Sequence, residues 1–144
     1  MVNPIRSDDP TLLELRRLGR LAERLLSRAL TDAGLTPDQL QVLLMVAAQP
    51  GVSAVACAQA LDLDAPTVSR LVNGLAQSGL LDRRRARSDR RMVRLRLTPA
   101  GRRLAEEGRA AVATANQEVV EELRPAERRA LRRALERLFS ASSS

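Results

Sequence analysis

The chain has 144 residues, of which 44% are hydrophobic and 28% charged, and its formal net charge is +7. This length fits one globular domain with a real core, and the balance of apolar and charged residues excludes a disordered chain. Without histidine, and with Cys57 as the single cysteine, the chain cannot form an internal disulfide or a Cys/His zinc site.

Neither a signal peptide nor a membrane span is expected. The longest apolar runs fall short of the roughly 18 residues that cross a bilayer. We therefore expect a soluble, cytoplasmic protein that needs no cofactor and no metal.

The chain opens with a polar arm and a long helix. Residues 1–10 are expected to be partly ordered. From Thr11 to about Leu30, apolar residues recur at helical spacing and charged residues fill the other positions. This pattern predicts an amphipathic helix that ends near Gly34.

A second helix is predicted from a strong start signal. Thr36 is placed to cap it, Pro37 suits the first helical position, and Gln39 completes a capping box. The run Gln49-Pro50-Gly51 ends this helix.

Two further helices follow, separated by a tight link at residues 62–64. Ser53 is expected to cap a short third helix that reaches about Leu61. Asp64 caps a fourth helix, which ends at Ser78-Gly79 because Gly79 suits a left-handed C-terminal position.

Residues 81–103 hold the basic character of the chain. They contain ten arginines and two aspartates, a local charge of +8, whereas the rest of the chain has fourteen arginines and fifteen carboxylates. From Met92 to Leu97 charged and apolar residues alternate, which predicts a half-buried strand. We expect a hairpin of Leu80–Leu81 onward with Arg91–Leu97, and a tip near Ala86–Asp89. Such a ribbon on a nearly neutral body is typical of a protein that binds a polyanion.

Two helices close the chain. The fifth is predicted to begin at Thr98-Pro99 and to reach about Leu123. The sixth begins at Pro125, and the tail after Phe139 is expected to fray. The fold class is therefore mainly α (α+β), in the order α-α-α-α-β-β-α-α.

The fourth helix is the candidate reading element. It carries apolar residues that pack inward and a polar set near its start that projects outward. A helix that enters the major groove presents such side chains at its N-terminal end. Arg70 is expected to contact guanine and Asn73 adenine or a phosphate, with Thr67 and Ser69 serving either role. The alternative is an ordinary solvated helix face.

A helix-turn-helix followed by a two-stranded wing is a winged helix, and here the chain resembles the MarR family of bacterial transcription regulators. The resemblance lies in residues 35–83, LTPDQLQVLLMVAAQPGVSAVACAQALDLDAPTVSRLVNGLAQSGLLDR, and in the wing signature SDRRMVRLRLTPAG. That signature is Asp-x-Arg, five residues, then Leu-Thr, formed here by Asp89, Arg91, Leu97 and Thr98.

The resemblance implies roles for the wing. Arg90 and Arg91 sit at the tip, where one of them is expected to enter the minor groove and sense its shape. Asp89 is expected to brace the wing by pairing with an arginine. Arg83 and Arg84 at the wing base are expected to contact phosphates, and Ser53 is included among the DNA contacts.

The resemblance also implies a homodimer built from the first, fifth and sixth helices. Candidates for the interface are Leu12, Leu15, Leu131, Leu135, Leu138 and Phe139; the alternative is that they only close the core of one chain. The expected organisation is an arm and dimerisation helix (1–34), a DNA-binding lobe (35–98, with a recognition helix at about 65–78 and a wing at about 81–97), and C-terminal dimerisation helices (99–144).

The function expected is a dimeric repressor that binds a pseudo-palindromic operator in double-stranded DNA. A small anionic or apolar effector would bind between the dimer helices and the DNA-binding lobe and release it. The alternatives are a constitutive or architectural DNA-binding protein without a ligand, and a winged helix used for protein contact. An enzyme is not expected, because the chain has no histidine, no partner for Cys57 and no phosphate-binding glycine loop. Cys57 is expected to pack in the core rather than to sense oxidants.

Overall fold

The structure is a computed structural model that describes residues 12–142. Over this range six helices and two strands follow one another, and the predicted fold class and element order are confirmed. The elements are α1 (Leu12–Ala29), α2 (Pro37–Ala48), α3 (Ala54–Leu61), α4 (Ala65–Gln77), β1 (Leu81–Arg85), β2 (Val93–Leu97), α5 (Pro99–Val120) and α6 (Pro125–Ser142). The arm predicted at residues 1–10 lies outside the described residues.

The predicted helix starts are confirmed by their hydrogen bonds. The backbone N–H of Gln39 donates to Thr36 Oγ1 at 3.2 Å, and the N–H of Thr36 donates to Gln39 Oε1 at 2.9 Å. Ser53 Oγ accepts the N–H of Ala56 at 3.1 Å. Because these caps involve residues only three positions apart, they form from local sequence alone.

Three boundaries differ from the prediction. Strand β2 begins at Val93 and not at Arg91, because the N–H of Arg91 donates to the side chain of Asp89 and closes a turn. Helix α5 ends at Val120, three residues early; Glu121 and Glu122 follow, and acidic residues oppose the helix dipole at a C-terminus. Helix α6 continues through the tail to Ser142.

The two strands form an antiparallel hairpin that the α2–α3 loop extends. Leu81 pairs with Leu97 and Arg85 with Val93. Beyond this pair, the N–H of Gly51 donates to the carbonyl of Leu95 at 2.8 Å, and the N–H of Leu95 donates to the carbonyl of Val52 at 2.9 Å. The loop therefore lies along the outer edge of β2 and joins the wing to the helical core.

By packing density the chain divides into two compact units, one ending at Val112 and the other beginning at Ala113. The buried apolar core belongs to the first unit, where α2, α3, α4 and the hairpin contribute most of its side chains. Among the described helices none is long and apolar enough to cross a membrane.

Candidate nucleic-acid interface

Helix α4 begins with a chain of hydrogen bonds that orders its exposed polar side chains. Asp64 caps the helix: its Oδ1 accepts the N–H of Thr67 at 2.8 Å, and its Oδ2 accepts the hydroxyl of Thr67 at 2.7 Å. Arg70 Nη2 in turn donates to Thr67 Oγ1 at 3.2 Å. The hydrogen bonds from Thr67, followed by the charge of Arg70, hold the pKa of Asp64 below its ordinary value.

The two faces of α4 are separated as the sequence predicts. Val68, Val72 and Leu75 are buried in the core, whereas Ser69 and Arg70 are exposed. The first turns of the helix therefore present a hydroxyl and a guanidinium to the surroundings, which are suitable groups for base edges or phosphates.

Asn73 contacts the wing. Its side-chain oxygen Oδ1 accepts a hydrogen bond from Arg83 Nη1, which lies on β1. A bidentate contact to adenine uses both the oxygen and the amide nitrogen of an asparagine. Asn73 cannot make that contact while its oxygen is bound to Arg83, so its observed role is to hold the wing base against α4.

The register of the hairpin separates its arginines onto two faces. Arg83 and Arg85 lie opposite Leu95 and Val93, on the face that packs toward the core. The other face carries the cross-strand pairs Asp82–Arg96 and Arg84–Arg94, and all four of these residues are exposed. Directly opposed like charges such as Arg84 and Arg94 are destabilising unless an anion or another partner lies nearby.

Arg94 has a structural contact that the sequence did not indicate. Its Nη1 donates to the carbonyl of Gly51 at 3.0 Å, forty-three residues away in the chain. The alternation along β2 identified Arg94 as an outward charge, but no local signal connected it to the α2–α3 loop.

The tip of the wing runs from Ala86 to Met92. The N–H of Ala86 donates to the carbonyl of Met92 at 2.8 Å, which closes the loop. Asp89 braces the tip as expected, but through the backbone: its Oδ1 accepts the N–H of Arg91 at 2.9 Å. None of the ion pairs formed within residues 12–142 includes Asp89. The side chains of Arg90 and Arg91 are exposed at this tip.

The remaining predicted site residues fall into two groups. Ser53 is half-buried, and its hydroxyl oxygen is engaged in capping α3. Arg84 is exposed at the wing base. Cys57 is 0% exposed and burial raises the pKa of its thiol, so the expected packing role is confirmed.

The apolar residues of α1 and α6 remain exposed on the single chain. Leu12 is 83% exposed and Phe139 is 69% exposed. The other exposed members of the predicted set are Leu15, Leu131, Leu135 and Leu138. The alternative that these residues only close the core of one chain is therefore wrong, because α1 and α6 contribute these side chains to the surface.

Comparison with known proteins agrees with this arrangement. Residues 33–92 match the model of the MarR family. The chain is 35% identical, over 130 residues, to a transcriptional regulatory protein for the hcr operon of Thauera aromatica, and the match covers 90% of this chain and 78% of that protein.

Two solved structures are similar over nearly the whole chain. The transcriptional repressor CouR of Rhodococcus jostii RHA1, bound to a 23-mer DNA duplex, has a TM-score of 0.85 at 30% identity and covers 90% of this chain and 92% of its own. BpsR of Bordetella bronchiseptica, whose DNA binding is regulated by 6-hydroxynicotinic acid, has a TM-score of 0.85 at 29% identity and covers 95% and 98%.

Proposed function

The chain belongs to the MarR family of winged helix-turn-helix transcription regulators, and from this premise we propose that it is a homodimeric repressor that binds a pseudo-palindromic operator. Helix α4 enters the major groove, and Arg90 or Arg91 of the wing tip enters the adjacent minor groove. The observation that carries the proposal is the placement of the exposed start of α4 beside an arginine-rich hairpin that Asn73 and Arg83 join to it.

Each part of this surface has a distinct task. Ser69 and Arg70 contact base edges, with Thr67 holding Arg70 in place. Arg84 and the Ser53 hydroxyl contact phosphates, together with Arg83 at the junction of helix and wing. Such a regulator works in the cytoplasm and catalyses no reaction.

A second copy of the chain covers the apolar residues of α1 and α6. Contiguous exposed apolar surface of this kind is typical of a protein interface. A two-fold dimer spaces two α4 helices by about one turn of DNA, roughly 34–36 Å, which is why the operator is a pseudo-palindrome.

The dimer is tested with the double substitution Leu131→Asp and Leu135→Asp. Light scattering should then show a monomer, while circular dichroism at low temperature reports whether the helices persist. Arg129→Asp with Arg133→Asp is the matched control, because these residues lie on the opposite side of α6 at helical spacing. A wild-type monomer at micromolar concentration would refute the dimer.

The DNA interface is tested by fluorescence anisotropy with the DNA upstream of the gene and with a random duplex, between about 50 and 200 mM salt. A dimer that contacts about 6–10 phosphates loses roughly 10³–10⁵ in affinity over this range. Arg90→Ala with Arg91→Ala should weaken binding strongly. Arg129→Ala with Arg133→Ala removes the same charge from the polar face of α6 and should leave the affinity nearly unchanged.

The outcomes separate the candidate functions. Tight binding to the upstream DNA alone supports an operator-binding repressor. Equal binding to both duplexes supports the architectural protein without a ligand. Weak binding with little salt dependence would show that the wing serves another partner.

Release by a small organic acid completes the proposal. It is supported by the similarity to BpsR, whose DNA binding responds to 6-hydroxynicotinic acid. A ligand shifts DNA binding only by its difference in affinity between the DNA-bound and the free conformation.

A further inference from the structure

A cavity of about 250 Å³ opens where α2, β2 and α5 meet, and we name it the wing-base groove. Its floor is apolar and includes Ala47, Leu97 and Ala105, while Arg96, Arg102 and Glu106 stand around it. All these residues belong to the unit that ends at Val112. The groove lies outside the proposed DNA surface, because Arg96 is on the face of the hairpin opposite to Arg83 and α4.

The charges around the groove are unbalanced. Glu106 pairs with Arg109 at 3.6 Å, so its carboxylate is directed to a residue outside the groove. Arg102 Nη1 donates to the carbonyl of Leu97 at 3.3 Å, which holds its guanidinium over the floor. Within the described part of the chain, neither Arg96 nor Arg102 takes part in an ion pair.

We propose that the wing-base groove binds the effector, and that this effector is a small carboxylic acid with one aromatic or alicyclic ring. Arg96 and Arg102 bind the carboxylate, because two guanidinium groups provide planar, charge-assisted donors for it. The ring lies on the apolar floor. Pockets of about 300–1,000 Å³ accept drug-sized molecules, so a cavity of 250 Å³ suits a single-ring acid.

The position of the groove gives such a ligand access to the wing. Strand β2 forms one wall, and its neighbour Arg94 is bound to Gly51 at the end of α2. The first turn of α5 forms another wall, and Thr98 at its start donates to the carbonyl of Gly79 at 2.6 Å, just after α4. A ligand between these elements therefore acts on the orientation of the wing relative to α4. This second step rests on the proposed function.

Binding is tested by titrating benzoate into the ¹⁵N-labelled full-length protein, with benzamide as a neutral molecule of the same shape. Benzoate should shift the amide signals of Ala47, Leu97 and Ala105 saturably, and benzamide should bind at least tenfold more weakly. The double substitution Arg96→Gln and Arg102→Gln should raise the Kd for benzoate at least tenfold. Arg103→Gln is the matched control, because Arg103 is directed to Glu107 on α5, outside the groove, and it should leave the Kd unchanged.

Two results would overturn the assignment of the groove. One is a set of benzoate shifts confined to other parts of the chain in a variant and a wild type that are equally well folded. The other is equal affinity for benzoate and benzamide, which would show that the arginines do not recognise the carboxylate.

Coupling is measured separately, as the change in DNA affinity on adding saturating benzoate to each variant. Release of DNA from the wild type and Arg103→Gln, but not from Arg96→Gln/Arg102→Gln, supports the proposal. Saturable benzoate binding with unchanged DNA affinity would refute the coupling and leave the operator function intact. A wild type that binds benzoate in the groove but binds no DNA would refute the proposed function instead.

Discussion

Gly101, in the first turn of α5, lies against the chain that leads from α4 into the wing. A Cβ at this position would lie 2.0 Å from the carbonyl oxygen of Leu80 and 3.0 Å from its carbonyl carbon. The obstacle is backbone and cannot rotate away. Gly101→Ala therefore forces the start of α5 more than 1 Å away from Leu80 before ordinary contact at 3.4 Å is restored.

The expected cost follows from the contacts that this movement breaks. The N–H of Thr98 donates to the carbonyl of Leu80 at 3.1 Å, and the hydroxyl of Thr98 donates to the carbonyl of Gly79 at 2.6 Å. Overpacking costs about 1–3 kcal/mol, and two weakened hydrogen bonds cost about 1 kcal/mol each. The helical preference of alanine over glycine returns about 0.5–1 kcal/mol. We expect the free energy of unfolding to fall by about 2–4 kcal/mol, out of a total of about 5–15 kcal/mol for typical domains.

Urea unfolding followed by circular dichroism measures this change, at one protein concentration because a dimer is stabilised by mass action. Gly74→Ala in α4 is the control: nothing lies within 4 Å of its Cβ, and it should gain about 0.5–1 kcal/mol. Gly108→Ala should fall between the two, since its Cβ meets Leu40 Cδ1 at 2.6 Å, the end of a flexible side chain. Wild-type stability of Gly101→Ala, with the control behaving as expected, would refute the close approach of α5 to Leu80.

Three further predictions concern single side chains. The buried thiol of Cys57, whose pKa is raised by burial, should react with Ellman's reagent at least about tenfold more slowly in the native protein than in urea; equal rates would contradict its packing role. The lowered pKa of Asp64 means that its ionised form stabilises the fold above its ordinary pKa and that this contribution is lost as pH falls through the native pKa. The difference in melting temperature between wild type and Asp64→Ala should thus shrink below about pH 4, and a difference independent of pH would count against the charged cap. In a double-mutant cycle on operator affinity, Asn73→Ala and Arg83→Ala should be coupled by about 0.5–3 kcal/mol; strictly additive effects would show that the two residues act separately.

Much of this architecture could be predicted because its signals are local. Thr36 and Gln39 exchange hydrogen bonds three residues apart, and Asp64 caps α4 through Thr67 in the same way. The alternation from Val93 to Leu97 placed Leu95 in the core and Arg94 outside before any partner strand was known. The arginines of residues 81–103 identified a polyanion-binding hairpin by charge alone. Periodicity, capping and composition depend only on near neighbours, so they survive without tertiary context.

Only the tertiary structure decided how these parts are joined. The contact of Asn73 with Arg83 depends on how α4 packs on β1, and it changes the expected role of Asn73 from a base contact to a support. The turn at Asp89 shortened β2, although the alternating pattern predicted a longer strand. Arg94 reaches Gly51 across forty-three residues, and the wing-base groove draws its walls from three separate elements. Contacts between residues far apart in the chain depend on strand register and on the packing of helices against the sheet, and neither is encoded in any short stretch of sequence.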